Sequence, residues 1–516
     1  VNALSRWVAV VLFGLASLTS FADATPDAGG FFNVRTFGAV GDGKTLDSPA
    51  IDRAIAAAGA TGGGTVLVPA GTYLCGSIHL RSHLHLLLDA GAVILGAPQA
   101  LDAYDETEPW PANNPFQDGG HCYFHNSLIW GENLVGVSIT GPGTIRGGGL
   151  VRDDSLLDKM SGFAAWGKKT AAAPQPYPPV RLGNKAIALK LCRGVTIRDL
   201  TIEHGGHFAI LATGCDNATF DNLTIDTNRD GIDIDCCRNA IVSNCRVNSP
   251  NDDAICPKST YALGRNILTE HVTITNCQVS GYKEGTLLDG TMQRSTGRRN
   301  GRIKFGTESS GGFLDCVVSN CTFRSCEGLA LEEVDGGVLE DITATNLKMV
   351  DVATYAIYLT TGTRNRGGAV GHPSQMRDIS ISNVSAEGVS KENGIQITGI
   401  PGSPIEDVML ENIRLISQGG GTVADAARPA PELGRGYPEP GAVPVYGLFV
   451  RHAKNLELTN ITLSFTAQDQ RPAASFSDVA AVEIDDFKAQ TAPGIKAVLI
   501  APDVSGVVVR NSPLVH

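Results

Sequence analysis

Residues 222–235 read NLTIDTNRDGIDID, residues 244–259 read NCRVNSPNDDAICPKS and residues 276–290 read NCQVSGYKEGTLLDG. Each stretch opens on an Asn, alternates apolar and polar residues over one short strand, and carries an acid eight positions after that Asn. Those acids are Asp230, Asp252 and Glu284. Moving outward, the same alternation recurs in GVTIRDLTI, NATFDNLTI, NAIVSNCRV, HVTITNCQV, CVVSNCTF, DISISNVSA and NLELTNITL. The anchor position runs through Asp199, Asn222, Asn244, Asn276, Asn320, Asn346, Asn383, Asn412 and Asn460, with shortest spacings of 22 and 23 residues. Short strands at this period with Asn at a corner predict an all-β fold, a parallel β-helix (solenoid) in which Asn amides ladder from turn to turn. A leucine-rich repeat needs a Leu spacing that is missing, and an antiparallel sandwich would not keep one Asn in register.

Composition agrees with many tight turns around a core of small residues: among 516 residues there are 60 Gly, 6% aromatics and 18% charged side chains. The formal charge of −12 argues against nucleic acid and anionic membranes as partners. At the start, Arg6, the apolar run Trp7 to Leu18 and the A-x-A site Ala22-Asp23-Ala24 read as a secretory signal. The run is short for a membrane span. We therefore expect residues 1–24 to be removed and the protein to act in a periplasm or outside the cell. Twelve cysteines in an exported chain invite disulfides. Cys245, Cys277 and Cys321, however, each follow a repeat Asn, and Cys192, Cys215 and Cys236 lie within turns, so packing as small core hydrophobes is favoured. Cys75, Cys122, Cys316 and Cys326 stay open. No C-x-x-C pair or Cys/His spacing suggests zinc.

A single domain is expected over residues 25–516, with a cap and first strands at 31–100. Asp47 or Ser48 N-caps a helix that has Pro49 in its first turn and runs through Ile51 to Ala58. GGGTVLVPAGTYL and LHLLLDAGAVILG then enter the first strands. Three long insertions are expected on one face of the solenoid. They are 102–127, with Trp110, His121, Tyr123 and His125; 147–180, with Trp166; and the Gly/Pro-rich 418–444.

Position eight of the repeat reads His207, Asp230, Asp252, Glu284 and Gly328. One acid at such a corner is ordinarily a solvated turn residue. Three in register, joined by Asp233 and Asp253, point to a site. Strands about 4.8 Å apart would stack the carboxyls, and like charges that close favour keeping a proton on one of them. The middle acid, Asp252, is expected to be raised most and to serve as general acid. Asp230 and Asp253 are expected to stay ionised and hold a water as base. The basic run STGRRNGRIKFG supplies Arg298, Arg299, Arg302 and Lys304, a solvated loop or a carboxylate-binding subsite. His207 is expected to bind substrate or to be structural. Glu308 is either a buried structural carboxylate or part of a subsite.

Together these residues resemble the polygalacturonase family of glycoside hydrolases (family 28), pectin-cleaving right-handed parallel β-helices. The family signature is N-T-D-G, D-D, G-H-G and R-I-K in that order. Asn228-Arg229-Asp230-Gly231 is similar to the first, and Asp252-Asp253 and Arg302-Ile303-Lys304 match the second and fourth. The resemblance runs from about Phe32 and includes FGAVGDGKTLDSPAI and GYPEP at 436–440. It implies an inverting hydrolysis without metal or cofactor, with Asp252 as acid, Asp230 and Asp253 activating water, and Arg302 and Lys304 binding a galacturonate carboxylate. Arg229, in place of Thr, would add charge to a subsite, and Asp233 and Glu284 would line it. Where the family has G-H-G, the register gives Lys283-Glu284-Gly285. That departure is similar to the rhamnogalacturonan-type and bacterial exo-acting members and places rhamnogalacturonan slightly ahead of homogalacturonan as backbone. The expected partner is a pectic polysaccharide or oligosaccharide, met by a monomer. Two other readings stay open: a Ca²⁺-dependent pectate lyase-like β-helix and a non-catalytic β-helical adhesin that binds carbohydrate.

Overall fold

The computed structural model describes residues 31–109, 119–151, 181–367, 372–429, 431–432 and 441–515. The signal segment 1–24, Trp110, Trp166 with most of the 147–180 insertion, and GYPEP at 436–440 lie outside the described residues. The chain winds as a right-handed parallel β-helix. One face is a six-stranded parallel sheet of β1 (Ile78–His79), β2 (Ser127–Glu132), β3 (Lys185–Lys190), β4 (Phe208–Thr213), β5 (Asp230–Asp235) and β6 (Ile255–Lys258). Between β4 and β5 the chain completes a turn through strands Asp216–Asp221 and Thr224–Asp226. The next turn repeats the path through Arg238–Ser243 and Arg246–Asn248.

Two rows of side chains explain why this sequence repeats. Inward-facing Ile187, Ile210, Ile232 and Ile255 stack in register, each fully buried. Burying one such side chain stabilises the fold by about 1.5–3 kcal/mol. At the corners, Asp199, Asn222, Asn244, Asn276, Asn320, Asn346, Asn383, Asn412 and Asn460 all adopt positive φ, which Asn and Asp tolerate better than other side chains. Their amides then bridge turns: Asn222 Nδ2 donates to Asp199 Oδ1 (2.8 Å), Asn346 to Asn320 (3.1 Å), Asn412 to Asn383 (3.0 Å) and Asn460 to Asn412 (2.8 Å). All twelve cysteines, including the four left open, are buried and free of disulfides.

The cap helix α1 (Ser48–Ala60) begins as expected at Asp47, but that side chain does not cap it. The Asp47 carboxylate instead accepts from the backbone N–H groups of Val40 (2.7 Å) and Gly41 (3.0 Å), tying the preceding loop to the helix. Two insertions turn back over the outer face of the strands. From 102–127, Phe124 packs on Ala188, Phe208, Leu211 and Ala262. From 418–444, the Gly441 carbonyl accepts from Asn393 Nδ2 and Gln396 Nε2, both at 3.0 Å. Among the described residues, neither cover packs over Asp252, which keeps 22% of its side-chain surface exposed.

Candidate active site

β5 starts at Asp230, and Asp252 and Asp253 lie just before β6. The register Ile232↔Ile255, with Gly231 N–H donating to Asp253 O and Asn251 N–H to Asn228 O, sets Asp253 beside Asp230 and Asp252 beside Arg229. Gly231 permits that approach: a Cβ there would lie 2.4 Å from both the Ala254 carbonyl oxygen and Val247 Cγ1. The count of eight is thus out of step by one residue at its second rung, because the turn carrying Asp252 is one residue longer. At its third rung it fails. Segment 281–300 leaves the solenoid after Ser280 and returns where Ala254 N–H donates to Arg302 O, so Glu284 is carried away on an excursion. Glu284 Oε1 lies 2.6 Å from His204 Nδ1. Its loop is fastened by Asp226, which accepts from the N–H groups of Gly285, Leu287 and Leu288 at 3.0–3.2 Å.

Cations surround the remaining acids. Asp253 accepts from Arg302 Nε (2.7 Å) and pairs with Lys304 Nζ (2.6 Å). Arg302 also bonds Glu327 and the Tyr355 hydroxyl and lies 3.8 Å from Glu332. Arg302 and Lys304 are therefore buried and engaged by the site's own carboxylates, not held out toward solvent as free carboxylate receptors. Lys258 Nζ, also buried, sits 3.3 Å from Glu308, 3.4 Å from Asp233 and 3.9 Å from Asp230. Glu308 in turn pairs with Arg364 (3.2 Å) and Arg366 (3.8 Å). His121, on the short helix α2 (Gly119–Cys122), approaches Asp233 at 3.5 Å. Gly120 lies over His207, whose ring packs on Phe208 at 4.3 Å between centroids. His207 is thus buried under α2. Asp252 pairs with Arg229 at 2.8 Å, and these two side chains keep 22% and 28% of their surface exposed.

These surroundings divide the acids, though not as the stack suggested. Burial, then the charges of Asp233 and Asp252, push Asp230 well above the usual carboxylate range, with Lys258 opposing. Burial also raises Asp233, against Lys258 and His121. For Asp253 burial acts upward too, but Lys304, Arg302 and Lys258 together overcome it and hold the carboxyl far below its ordinary value. Burial thus raises the first rung, Asp230, together with Asp233 on the same strand, while Asp252 keeps part of its surface exposed.

Carboxylate oxygens of Asp230, Asp252 and Asp253 lie within 4.8 Å of one another, close enough to share a divalent cation. The donor set does not fit one: each acid already faces a protein cation, Lys258, Arg229, or Arg302 with Lys304. An oxygen-loving cation needs six or more ligands, and these acids are already neutralised.

Comparison with known proteins agrees with this fold. The family model "Rhamnogalacturonase A/epimerase, pectate lyase-like" matches residues 31–104, and "Right handed beta helix region" matches 185–367. A probable polygalacturonase of Vitis vinifera is 27% identical over 397 residues, 73% of each chain. An exo-poly-α-D-galacturonosidase of Dickeya chrysanthemi is 24% identical over 421 residues, 74% of this chain and 66% of that one. The crystal structure of an exopolygalacturonase from Thermotoga maritima shares the fold at 19% identity, covering 90% of this chain and 92% of that one with a TM-score of 0.56. The chain is thus similar to polygalacturonases along most of its length.

Within this site, sequence reasoning missed Lys258, Glu327, Tyr355, Arg364 and the pairing of His121 with Asp233. Lys258 had a visible signal. In DDAICPKS, Ile255 and Pro257 face the core, so Cys256 and Lys258 face outward with Asp233 and Asp235. Tyr355 and Arg364 come from turns some 50 to 60 residues beyond Arg302 and Glu308, and no local pattern marks them. This likeness supports glycoside hydrolysis as the class of reaction. Among the described residues no helix is long and apolar enough to cross a membrane.

Proposed function

We propose that the protein hydrolyses α-galacturonosyl linkages in pectic chains, with Asp252 as general acid and Asp230 with Asp253 activating water. The observation that carries the reading is the convergence, within 4.8 Å, of one partly exposed acid and two buried acids whose surroundings shift them in opposite directions. Asp252 gives a proton to the glycosidic oxygen as the bond from anomeric carbon to oxygen breaks. Water adds its oxygen to that carbon and passes its proton to Asp230. A carboxylate with a raised pKa is the stronger base near working pH once ionised, and Asp253, ionised throughout, orients the water. Inversion is carried over from the resemblance. Inverting carboxyl pairs are usually roughly 6.5–9.5 Å apart, so the tight cluster makes the product anomer the decisive measurement. ¹H NMR of the first turnover should show the β-anomer; an α-anomer refutes the assignment.

The relatives' names favour galacturonan as the backbone, ahead of rhamnogalacturonan. The cover formed by α2 and Phe124 over Phe208, one strand before Asp230, supports exo action, because a long chain cannot continue along that face. Digestion of galacturonan and rhamnogalacturonan oligomers tests both points: monomer release from galacturonan is expected, and a ladder of oligomers would refute exo action. The cations already paired to each acid favour hydrolysis over a Ca²⁺-dependent lyase. Activity that vanishes in chelator, with ultraviolet-absorbing unsaturated ends, would overturn that choice. The run Trp7 to Leu18 ahead of Ala22-Asp23-Ala24 supports action outside the cytoplasm, and N-terminal sequencing of exported protein would read a start near Thr25.

A further inference from the structure

We propose that Arg366 is a specificity-determining residue of the site, a guanidinium that receives the carboxylate of an acidic sugar beside the bond to be cleaved. The inference rests on the hydrolytic reading given above and adds to it the residue that reads the sugar's acid group. Lys258 leads to it. Its ammonium lies 3.9 Å from Asp230 and 3.3 Å from Glu308, and Glu308 meets Arg364 at 3.2 Å and Arg366 at 3.8 Å. A chain of ion contacts thus runs from Asp230 through Lys258 and Glu308 to Arg366. Arg302 and Lys304, the cations that the sequence assigns to carboxylate binding, are instead spent on Asp253, and Arg229 is engaged by Asp252.

Charge along that chain runs short at its outer end. Glu308 is one carboxylate facing three cations, and Arg366 is the farthest of them. Arg364 also holds Asp335, its Nε donating to Oδ1 at 2.9 Å and its Nη2 to Oδ2 at 2.5 Å. Lys258 also faces Asp230 and Asp233, but burial raises both, so it leans the more on Glu308. Arg366 is left with a share of a carboxylate that two nearer cations already hold. Lys258 and Arg364 are buried, whereas Arg366 keeps 33% of its side chain exposed. The backbone beneath it is fixed: Arg366 N–H donates to Asp335 Oδ1 at 2.8 Å, and its carbonyl accepts from Ser310 Oγ at 3.1 Å. Asp335, itself buried, also accepts from Ser309 N–H at 3.3 Å, which ties this loop to the turn that carries Glu308. A guanidinium fork takes a carboxylate through two parallel N–H bonds, and here its loop is ordered before the sugar arrives. A galacturonate supplies that carboxylate; a neutral sugar or a methyl ester does not.

The experiment measures kcat and KM of wild type, Arg366→Gln and Arg366→Lys on trigalacturonate and on its methyl ester, with inhibition by D-galacturonate and by D-galactose. Wild type should prefer the acid by at least about tenfold in kcat/KM, the size of one hydrogen bond to a charged group, and should be inhibited better by galacturonate. Arg366→Gln should lose about tenfold on the acid but no more than about twofold on the ester, and should no longer distinguish the two inhibitors. Arg366→Lys keeps charge without the fork and should fall between. Both variants retain the backbone bonds to Asp335 and Ser310, so thermal melting should match wild type; if Arg366→Gln does not fold, Arg366→Lys gives the same comparison. Equal losses on acid and ester, or none on either, overturn the assignment of Arg366 and leave hydrolysis standing. A wild type that releases no reducing ends from either substrate overturns the hydrolytic reading, and the role of Arg366 with it.

Discussion

Lys258→Met offers a direct measurement of how the site sets the charge on Asp230. The ammonium lies 3.9 Å from Asp230, 3.4 Å from Asp233 and 3.3 Å from Glu308. At an effective dielectric of about 20, a unit charge at 3.9 Å is worth about 4 kcal/mol, or roughly 3 pH units at about 1.36 kcal/mol per unit. Relaxation of the neighbours trims this, so the acidic limb of kcat/KM, which reports ionisation of Asp230 as base, should rise by about 1–3 units. Asp233→Asn removes a neighbouring negative charge and should move the same limb down. Stability follows the same signs. Asp230 and Asp233 have folded pKa values above their unfolded ones, so their favourable contribution is complete below about pH 4 and is lost as pH rises through the folded values. Removing Lys258 deepens that loss, and urea unfolding should show a deficit of about 3–5 kcal/mol at pH 7 that shrinks toward pH 4. An acidic limb that stays in place or falls in Lys258→Met would refute the claim that this ammonium opposes the burial of Asp230.

Asp252→Asn and Asp253→Asn should part company in stability. Both lose activity, the former by about 10²–10⁴-fold in kcat as a general acid is removed. Asp252→Asn, at a partly exposed position, keeps the melting temperature, while Asp253→Asn leaves Arg302 and Lys304 buried without their carboxylate and costs about 3–5 kcal/mol. Asp253 is held below its unfolded pKa, so its contribution exists above about pH 4 and disappears as pH falls further; the gap between the two variants in urea unfolding should close in acid. Gly231→Ala forces a Cβ against the Ala254 carbonyl and should separate β5 from β6, lowering kcat with little change in product pattern, as steady-state assays with product analysis would show. Glu284→Gln removes the charge facing His204 and should loosen segment 281–300, seen as faster hydrogen exchange at Gly285, Leu287 and Leu288, while the acids remain in place.

The repeat was readable because it is enforced by chemistry local to each turn. An inward Ile or Val must recur at every second position, and a corner at positive φ selects Asn or Asp, so both the strand pattern and the Asn column are visible one turn at a time. The acids were readable to the extent that they sit at that same corner. Glu284 was misplaced for the opposite reason. Counting assumes that chain distance equals position in the turn, and segment 281–300 breaks that equality. Nothing in GYKEGTLLDG marks it as an excursion until Asp226, a residue of an earlier turn, is seen accepting its backbone N–H groups.

Electrostatics was the least readable property, because it depends on depth as well as order. Stacking alone makes the middle of three acids the most strained, which singles out Asp252. Depth matters more: Asp230 is buried beside Phe208 of β4 and its carboxyl is raised by that burial, while Asp252 keeps 22% of its side chain exposed beside Arg229. A general acid at the edge and a base in the interior is the workable arrangement. The leaving sugar must be able to depart past the acid, whereas the water must be screened from bulk solvent to be held by Asp230 and Asp253. The cations complete the logic. Those that fix the interior, Lys258, Arg302 and Lys304, are buried and multiply held, so they set charge without moving.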